Sequence, residues 1–175
     1  MNDIVLPLSI VNNRRMERWL RFDADRRLRL SVGKVEIGQG VLIALTQIAA
    51  EELDIPVDRI DILAGDTAEA PDEGTTSSSQ SMEVSGASVR LVSAEMRQRI
   101  LGRLAQRLNC SPDDISVEDG AFWHDNKPTG HDYWNFVAPA DYEPDIVGNA
   151  RPKPAAYYKV VGQPVHRKDL RAKVT

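Results

Sequence analysis

The sequence predicts an α/β (α+β) fold: a small mixed sheet with two main helices, a C-terminal hairpin and an extended proline-rich arm. Three observations predict it. Leu28-Arg29-Leu30-Ser31-Val32 and Arg59-Ile60-Asp61-Ile62-Leu63 alternate like half-buried strands. Apolar residues recur at helical spacing from Val41 to Leu53 and again from Val89 to about Asn109. Beyond residue 138, Pro139, Pro144, Pro152, Pro154 and Pro164 interrupt a stretch with few apolar periods, the pattern of an extended arm.

Met1 to Arg18 has weak periodicity, so residues 1–27 are expected to be an extended, partner-facing segment. The first strand follows. In the first helix Leu42, Leu45, Ile48, Ala49 and Leu53 share a face, which leaves Glu51 and Glu52 outward, and Pro56 stops it. Gly65-Asp66-Thr67 ends the second strand. In the long helix Val89, Val92, Met96, Ile100, Leu104 and Leu108 form the buried stripe, with Arg97, Arg99, Arg103 and Arg107 outward. Ser85, Gly86, Ala87 and Ser88 at its start permit close approach of a ligand or a neighbouring backbone. Cys110 to Asp114 is a turn, and Ile115–Glu118 with Ala121–His124 forms a hairpin closed by Asp119-Gly120. Asp132 to Val137 reads as a short aromatic helical turn. Residues 28–137 therefore make the domain and 138–175 the arm, expected to run towards a further domain or a partner chain.

Composition removes several function classes. A net charge of -4 gives no footprint for nucleic acid, and the arginines between residues 14 and 29 read as a solvated or partner-facing surface. A lone cysteine, Cys110, rules out an internal disulfide or a cysteine-built cluster. No apolar run approaches the roughly 18–20 residues of a membrane span. Ile4 to Ile10, broken by Pro7, is too short for a secretory signal, and the compartment, cytoplasmic or periplasmic, stays open. His124, His131 and His166 are too widely spaced for a metal triad, and nothing forms a nucleophilic set.

Two loops carry the chemistry. Gly38, Gln39 and Gly40 lie between the first strand and the first helix. Glycines there allow close approach of a ligand, the helix start offers N–H groups to an anion, and the Gln39 amide both donates and accepts. The second loop, Gly74-Thr75-Thr76-Ser77-Ser78-Ser79-Gln80-Ser81, opens the long helix with a run of hydroxyls. Neither is a P-loop or a dinucleotide fingerprint. Ordinary turns and helix caps remain the alternative to anion or cofactor binding, and Glu36 reads as a structural acceptor or a solvated carboxylate rather than a catalytic base.

A wider likeness runs through these segments. Trp19 to Phe22, Val32 to Val41, Ile48 to Leu53, Gly65 to Thr67, Pro71 to Ser81 and Ser85 to Ala87 resemble the large, molybdenum-binding subunit of the xanthine dehydrogenase/aldehyde oxidase family. The type most alike is the B subunit of the nicotinate-dehydrogenase or isoquinoline-oxidoreductase kind. Tyr133-Trp134, Tyr158 to Val165 and Arg167 to Thr175 continue the likeness.

That resemblance implies a molybdopterin site. Gln39 would hydrogen-bond the pterin or its dithiolene side, with Gly38 and Gly40 allowing the approach. Thr75, Thr76, Ser77, Ser78, Ser79, Gln80 and Ser81 would hold the pterin and phosphate portions of molybdopterin cytosine dinucleotide. It also implies oxidative hydroxylation of an aldehyde or N-heterocycle, with electrons leaving through 2Fe–2S clusters in a small partner subunit to a cytochrome or other acceptor. The family's catalytic glutamate lies in a GxGE-like segment that is not found here. The expected role is thus a non-autonomous cofactor-binding piece that works with the remaining molybdenum-binding polypeptide. A non-catalytic assembly subunit and a stand-alone phosphate-ligand module are the rival readings.

Overall fold

A computed structural model of the chain describes residues 6–77 and 79–166. In chain order the regular elements are α1 (Leu8–Asn12), β1 (Leu20–Phe22), β2 (Leu28–Val32), α2 (Val41–Leu53), β3 (Ile60–Ala64), α3 (Ala87–Leu108), β4 (Ile115–Glu118), β5 (Ala121–His124), β6 (Lys127–Asp132) and α4 (Tyr133–Phe136). A π-helical turn, Ser81–Gly86, leads into α3.

Two three-stranded sheets result, ordered β1-β2-β3 and β4-β5-β6. In the first, β2 and β3 are parallel, with Leu28 opposite Ile60 and Val32 opposite Ala64, and α2 is the crossover between them. The second is an antiparallel meander. Its turns are two-residue loops in which both central residues have positive φ, Asp119-Gly120 and Asp125-Asn126, a geometry that matches the twist of the flanking strands.

The expected α/β class, both strands of the parallel pair, both long helices, the first hairpin and the aromatic turn are all present. The third strand of the meander has no signal in Lys127-Pro128-Thr129-Gly130-His131-Asp132, which lacks apolar periodicity. The Asp125-Asn126 turn makes it pair.

The core lies where α2 and α3 pack together and cover the first sheet. Leu28, Leu30 and Val32 meet Leu45, Ala49 and Leu53 of α2 and Val92, Met96, Ile100 and Leu104 of α3, all buried. The second sheet joins through aromatic rings. Tyr133 stacks on Phe22 at 5.0 Å between centroids and meets Phe122 edge-on at 4.9 Å. Trp134 donates its Nε1–H to the Arg27 carbonyl at 2.9 Å. Gly120 sits under that indole, where a Cβ would come 2.7 Å from the ring. Tyr133 and Trp134, matched in the family resemblance, thus serve packing between the sheets.

Two expectations about the termini are corrected. The segment 1–27 is not simply extended: among its described residues it carries α1, a 3-10 turn at Met16–Arg18 and β1. Ile10, Met16, Trp19 and Leu20 are buried. Elements this short hold too few residues for a period to show, and pairing with β2 makes β1 regular. The arginines between residues 14 and 29 are not simply solvated either. Arg26 pairs with Asp132, Arg27 with Asp61 and Arg29 with Glu69, while Arg18 donates to the carbonyl of Ala68.

The arm is the larger correction. As far as it is described, to residue 166, it lies along the domain's own helices, with Ile146 fully buried. Glu51 and Glu52, expected to face outward, are 3 % and 1 % exposed. Glu51 accepts N–H bonds from Lys159, Val160 and Val161 at 2.6–3.0 Å, and Glu52 accepts that of Lys153. Glu95 of α3 takes the N–H groups of Val147 and Gly148. Arg97, Arg99 and Arg103, also expected outward, donate to arm carbonyls at Arg151, Asp141, Pro144 and Asp145 and to the Asp141 carboxylate. Buried backbone must find partners, and these side chains supply them without a sheet. The family-like stretch Arg167 to Thr175 lies outside the described residues.

Candidate functional site

The structure brings the two polar loops together. Beyond β2 the alternation Leu28, Leu30, Val32 continues to Lys34, whose side chain is 1 % exposed. Its Nζ donates to the carbonyls of Glu73 and Thr75, each at 2.8 Å. Gly33 N–H donates to the Glu73 carboxylate at 2.8 Å, and Val35 N–H to Thr76 Oγ1 at 3.0 Å. Three consecutive residues after β2 therefore staple the second loop to the first. Gly33 permits it, since a Cβ there would overlap the Pro71 carbonyl and lie 2.9 Å from Glu73 N.

Further bonds hold the second loop from the N-terminal segment. The Asn13 side chain donates to the Asp72 carbonyl and accepts from the Asp72 N–H, at 2.8 and 3.0 Å. Asp66 turns the chain towards it by accepting the N–H groups of Glu69 and Ala68, which hold its carboxyl below the usual carboxylate range. Asp72 Oδ1 accepts Gly74 N–H at 3.0 Å.

The first loop differs from expectation in one respect. The Gly40 and Leu42 N–H groups at the start of α2 are not left for an outside anion, because Glu36 takes them. Its carboxylate accepts Gly38 N–H at 2.9 Å, Gly40 N–H at 2.8 Å and Leu42 N–H at 3.3 Å. Gln39 closes the same turn, accepting Ile37 N–H at 2.7 Å and donating to the Val35 carbonyl at 3.1 Å. The second N–H of its amide is spare to that pairing.

What remains open on this edge is polar and accessible. Gln39, Thr75, Ser77, Ser79 and Gln80 are exposed, and Thr76 and Ser81 are half-buried. Ser78 lies outside the described residues. Gly38, Gly40 and Gly74 have positive φ, and a Cβ on any of them would meet no atom within 4 Å, so the backbone faces open space there. Val35 and Ile37 flank the edge, with Ile37 74 % exposed. Hydroxyls, an amide and bare glycine backbone suit the hydrogen-bonding rim of a heterocycle and the oxygens of a phosphate. The edge is one open wall. A half-open cavity of about 700 Å³ lies elsewhere, between Arg18, Arg21, Arg29, Phe22, Trp134 and Tyr142.

Other candidates are placed away from this edge. His124 and His131 lie in the second sheet, and among the described residues no group of three or more His, Cys, Asp or Glu side chains is arranged to hold a metal ion. Cys110 is a half-buried free thiol whose pKa is raised by burial and by Asp114 and Asp125. Among the described residues no helix is long and apolar enough to cross a membrane. Sequence reasoning found both loops but missed Lys34, although the alternation running through Leu28, Leu30 and Val32 signals its inward direction.

Comparison with known proteins agrees with this geometry. A family model described as "Molybdopterin cofactor-binding domain" matches residues 7–170. The B subunit of nicotinate dehydrogenase from Pseudomonas putida is 30 % identical over 165 residues, which cover 94 % of this chain and 14 % of that protein. The gamma subunit of the 6-hydroxypseudooxynicotine dehydrogenase complex from Paenarthrobacter nicotinovorans is 32 % identical over 96 residues, 55 % of this chain and 12 % of the relative. Among solved structures, CO dehydrogenase from Oligotropha carboxidovorans superposes with a TM-score of 0.55 at 27 % identity, over 62 % of this chain and 14 % of that one. The chain thus spans about one-seventh of the length of these relatives. Matched over almost all its length by the family model, the chain belongs to the molybdopterin cofactor-binding domain family.

Proposed function

We propose that this chain forms one wall of a molybdopterin site in a molybdenum hydroxylase and is inactive without the remaining molybdenum-binding polypeptide. The observation that carries this reading is the stapling of the two loops through Gly33, Lys34 and Val35, which leaves Gln39 and the hydroxyls of Thr75, Thr76, Ser77, Ser79 and Ser81 along one accessible edge. The residues present fit the cofactor: glycine backbone open to approach, an amide with a spare donor, and a row of hydroxyls.

In this reading Gln39 binds the pterin or its dithiolene side, with Gly38 and Gly40 leaving room. Thr75, Thr76, Ser77, Ser78, Ser79, Gln80 and Ser81 hold the pterin and phosphate portions. The form bound is molybdopterin cytosine dinucleotide. When bound it supplies the oxidative hydroxylation of an aldehyde or N-heterocycle; this chain contributes binding, orientation and a fixed electrostatic surrounding. A small subunit with 2Fe–2S clusters, and beyond it a cytochrome or other acceptor, complete the assembly. The family relationship and the similarity to dehydrogenase subunits support these partners.

The test is native mass spectrometry with molybdenum and pterin analysis of the untagged protein from its own source. A larger complex with near-stoichiometric molybdenum is expected, and Gln39→Ala should lower its pterin content. A homogeneous, metal-free monomer or homo-oligomer would refute the reading.

A further inference from the structure

We infer that Lys34 and Glu36 are positioning residues that set both loops in their binding shape before any cofactor arrives. The inference rests on the molybdopterin reading for the identity of the ligand. The two residues flank Val35 and act on opposite sides of the edge.

Lys34 buries an ammonium-bearing chain to place its head on two carbonyls rather than a carboxylate. A trans peptide unit points its C=O and N–H in opposite directions. Drawing the Thr75 carbonyl inward therefore turns the Thr76 N–H away from Lys34, to the side where a ligand can accept it. The internal cation also polarises that peptide unit, which strengthens the donor. Without Lys34, two part-buried carbonyls would lose their donor.

Glu36 does the complementary work on the first loop. Its carboxylate stands where an anion would sit at the start of α2, holding Gly38, Gly40 and Leu42 N–H. The loop thereby keeps its shape without a bound phosphate, and the Gln39 amide is held on the edge with a donor to spare. This accounts for an exposed, glycine-rich turn that needs no ligand to order it. The ordering cost is then already met when the ligand arrives.

Hydrogen exchange on the cofactor-free full chain tests this. The wild-type protein should protect Gly38, Gly40 and Leu42. In Glu36→Ala their exchange should rise by about tenfold or more, the size expected for a lost bond to a charged acceptor. Added formate, the smallest carboxylate, should restore protection, which lost side-chain packing alone would not allow. In Lys34→Met the rise should fall instead on the 73–77 stretch, with thermal melting confirming that both variants remain folded. Wild-type loops exchanging at unfolded-chain rates, or no response to either substitution, would overturn the inference. So would failure of formate. Pterin content of the complex from its source separates the two claims. Variant-sensitive, protected loops in a pterin-free complex would refute the molybdopterin reading. Undiminished pterin in both variants would refute the positioning role.

Discussion

The loop edge and the docked arm are both irregular backbone, yet they dispose of their N–H groups in opposite ways. Along the arm, buried carboxylates of α2 and α3 consume them: Glu51 takes three, Glu52 one and Glu95 two. On the loop edge, Glu36 satisfies the turn itself, but the hydroxyls of Thr75, Ser77 and Ser79 and the spare Gln39 N–H are left facing solvent, with open space beside Gly38, Gly40 and Gly74. The same residue type therefore finishes one surface and prepares another. A region whose polar groups are already paired is a fastening, and a region that leaves accessible donors on a rigid frame is a place for a ligand.

The sharpest way to break the comparison is to remove a fastening. Glu51→Ala should destabilise the chain by about 3 kcal/mol, since three N–H groups lose a charged acceptor. Chemical denaturation measures the loss, and limited proteolysis should then cut near Lys159. The same carboxylate predicts a pH dependence. Burial pushes Glu51 up, but the N–H groups of Val161, Val160 and Lys159, with Lys153, outweigh it and hold its pKa below the usual range. Its contribution is complete above the ordinary glutamate range and is lost as pH falls through the lowered value. Glu52 runs the other way. Burial raises its pKa despite Lys153, Arg97 and Arg90, so its contribution is present at low pH and lost as pH rises through the raised value. Glu51→Gln should thus flatten the acid limb of a stability–pH curve that the wild-type protein shows.

Next in size is the staple between the loops. Gly33→Ala forces a Cβ against Pro71 and Glu73 and should cost about 2 kcal/mol, as overpacking does. It should also abolish pterin retention, while leaving the arm's resistance to protease intact. Smaller again is Gly40→Ala, where φ is +77°; the left-handed backbone should cost about 1 kcal/mol by denaturation. Thr76→Val, which removes the acceptor for Val35 N–H at 3.0 Å, should cost about 1 kcal/mol with no change in the arm. If Thr76→Val loosened the arm as well, the two regions would not be independent.

The legible parts of the molecule are those with a local cause. Alternation gave β2 and β3, helical spacing gave α2 and α3, and Asp119-Gly120 gave the turn between β4 and β5. Both loops were visible from their glycines and hydroxyls. The burial of Glu51 and Glu52 was not, because two adjacent carboxylates at the end of a helix look solvent-facing until their partners are known. Those partners, the N–H groups of residues 153 and 159–161, lie about a hundred residues away in the chain. Nor did Pro139 to Pro164 reveal where the arm runs, since proline spacing specifies extension but no destination.

The sequence by itself determined the two long helices, the parallel strands, the first hairpin, the two polar loops and the likeness to molybdenum-binding subunits, all properties of neighbouring residues and their backbone preferences. Tertiary structure alone decided that the loops share one edge, that Lys34 and Glu36 hold them, and that the arm docks on its own domain. The physical reason is that a charge or an N–H group declares no role until folding supplies its partner. Burial then makes that partnership obligatory, because an unpaired polar group inside costs more than the bond would have contributed in water.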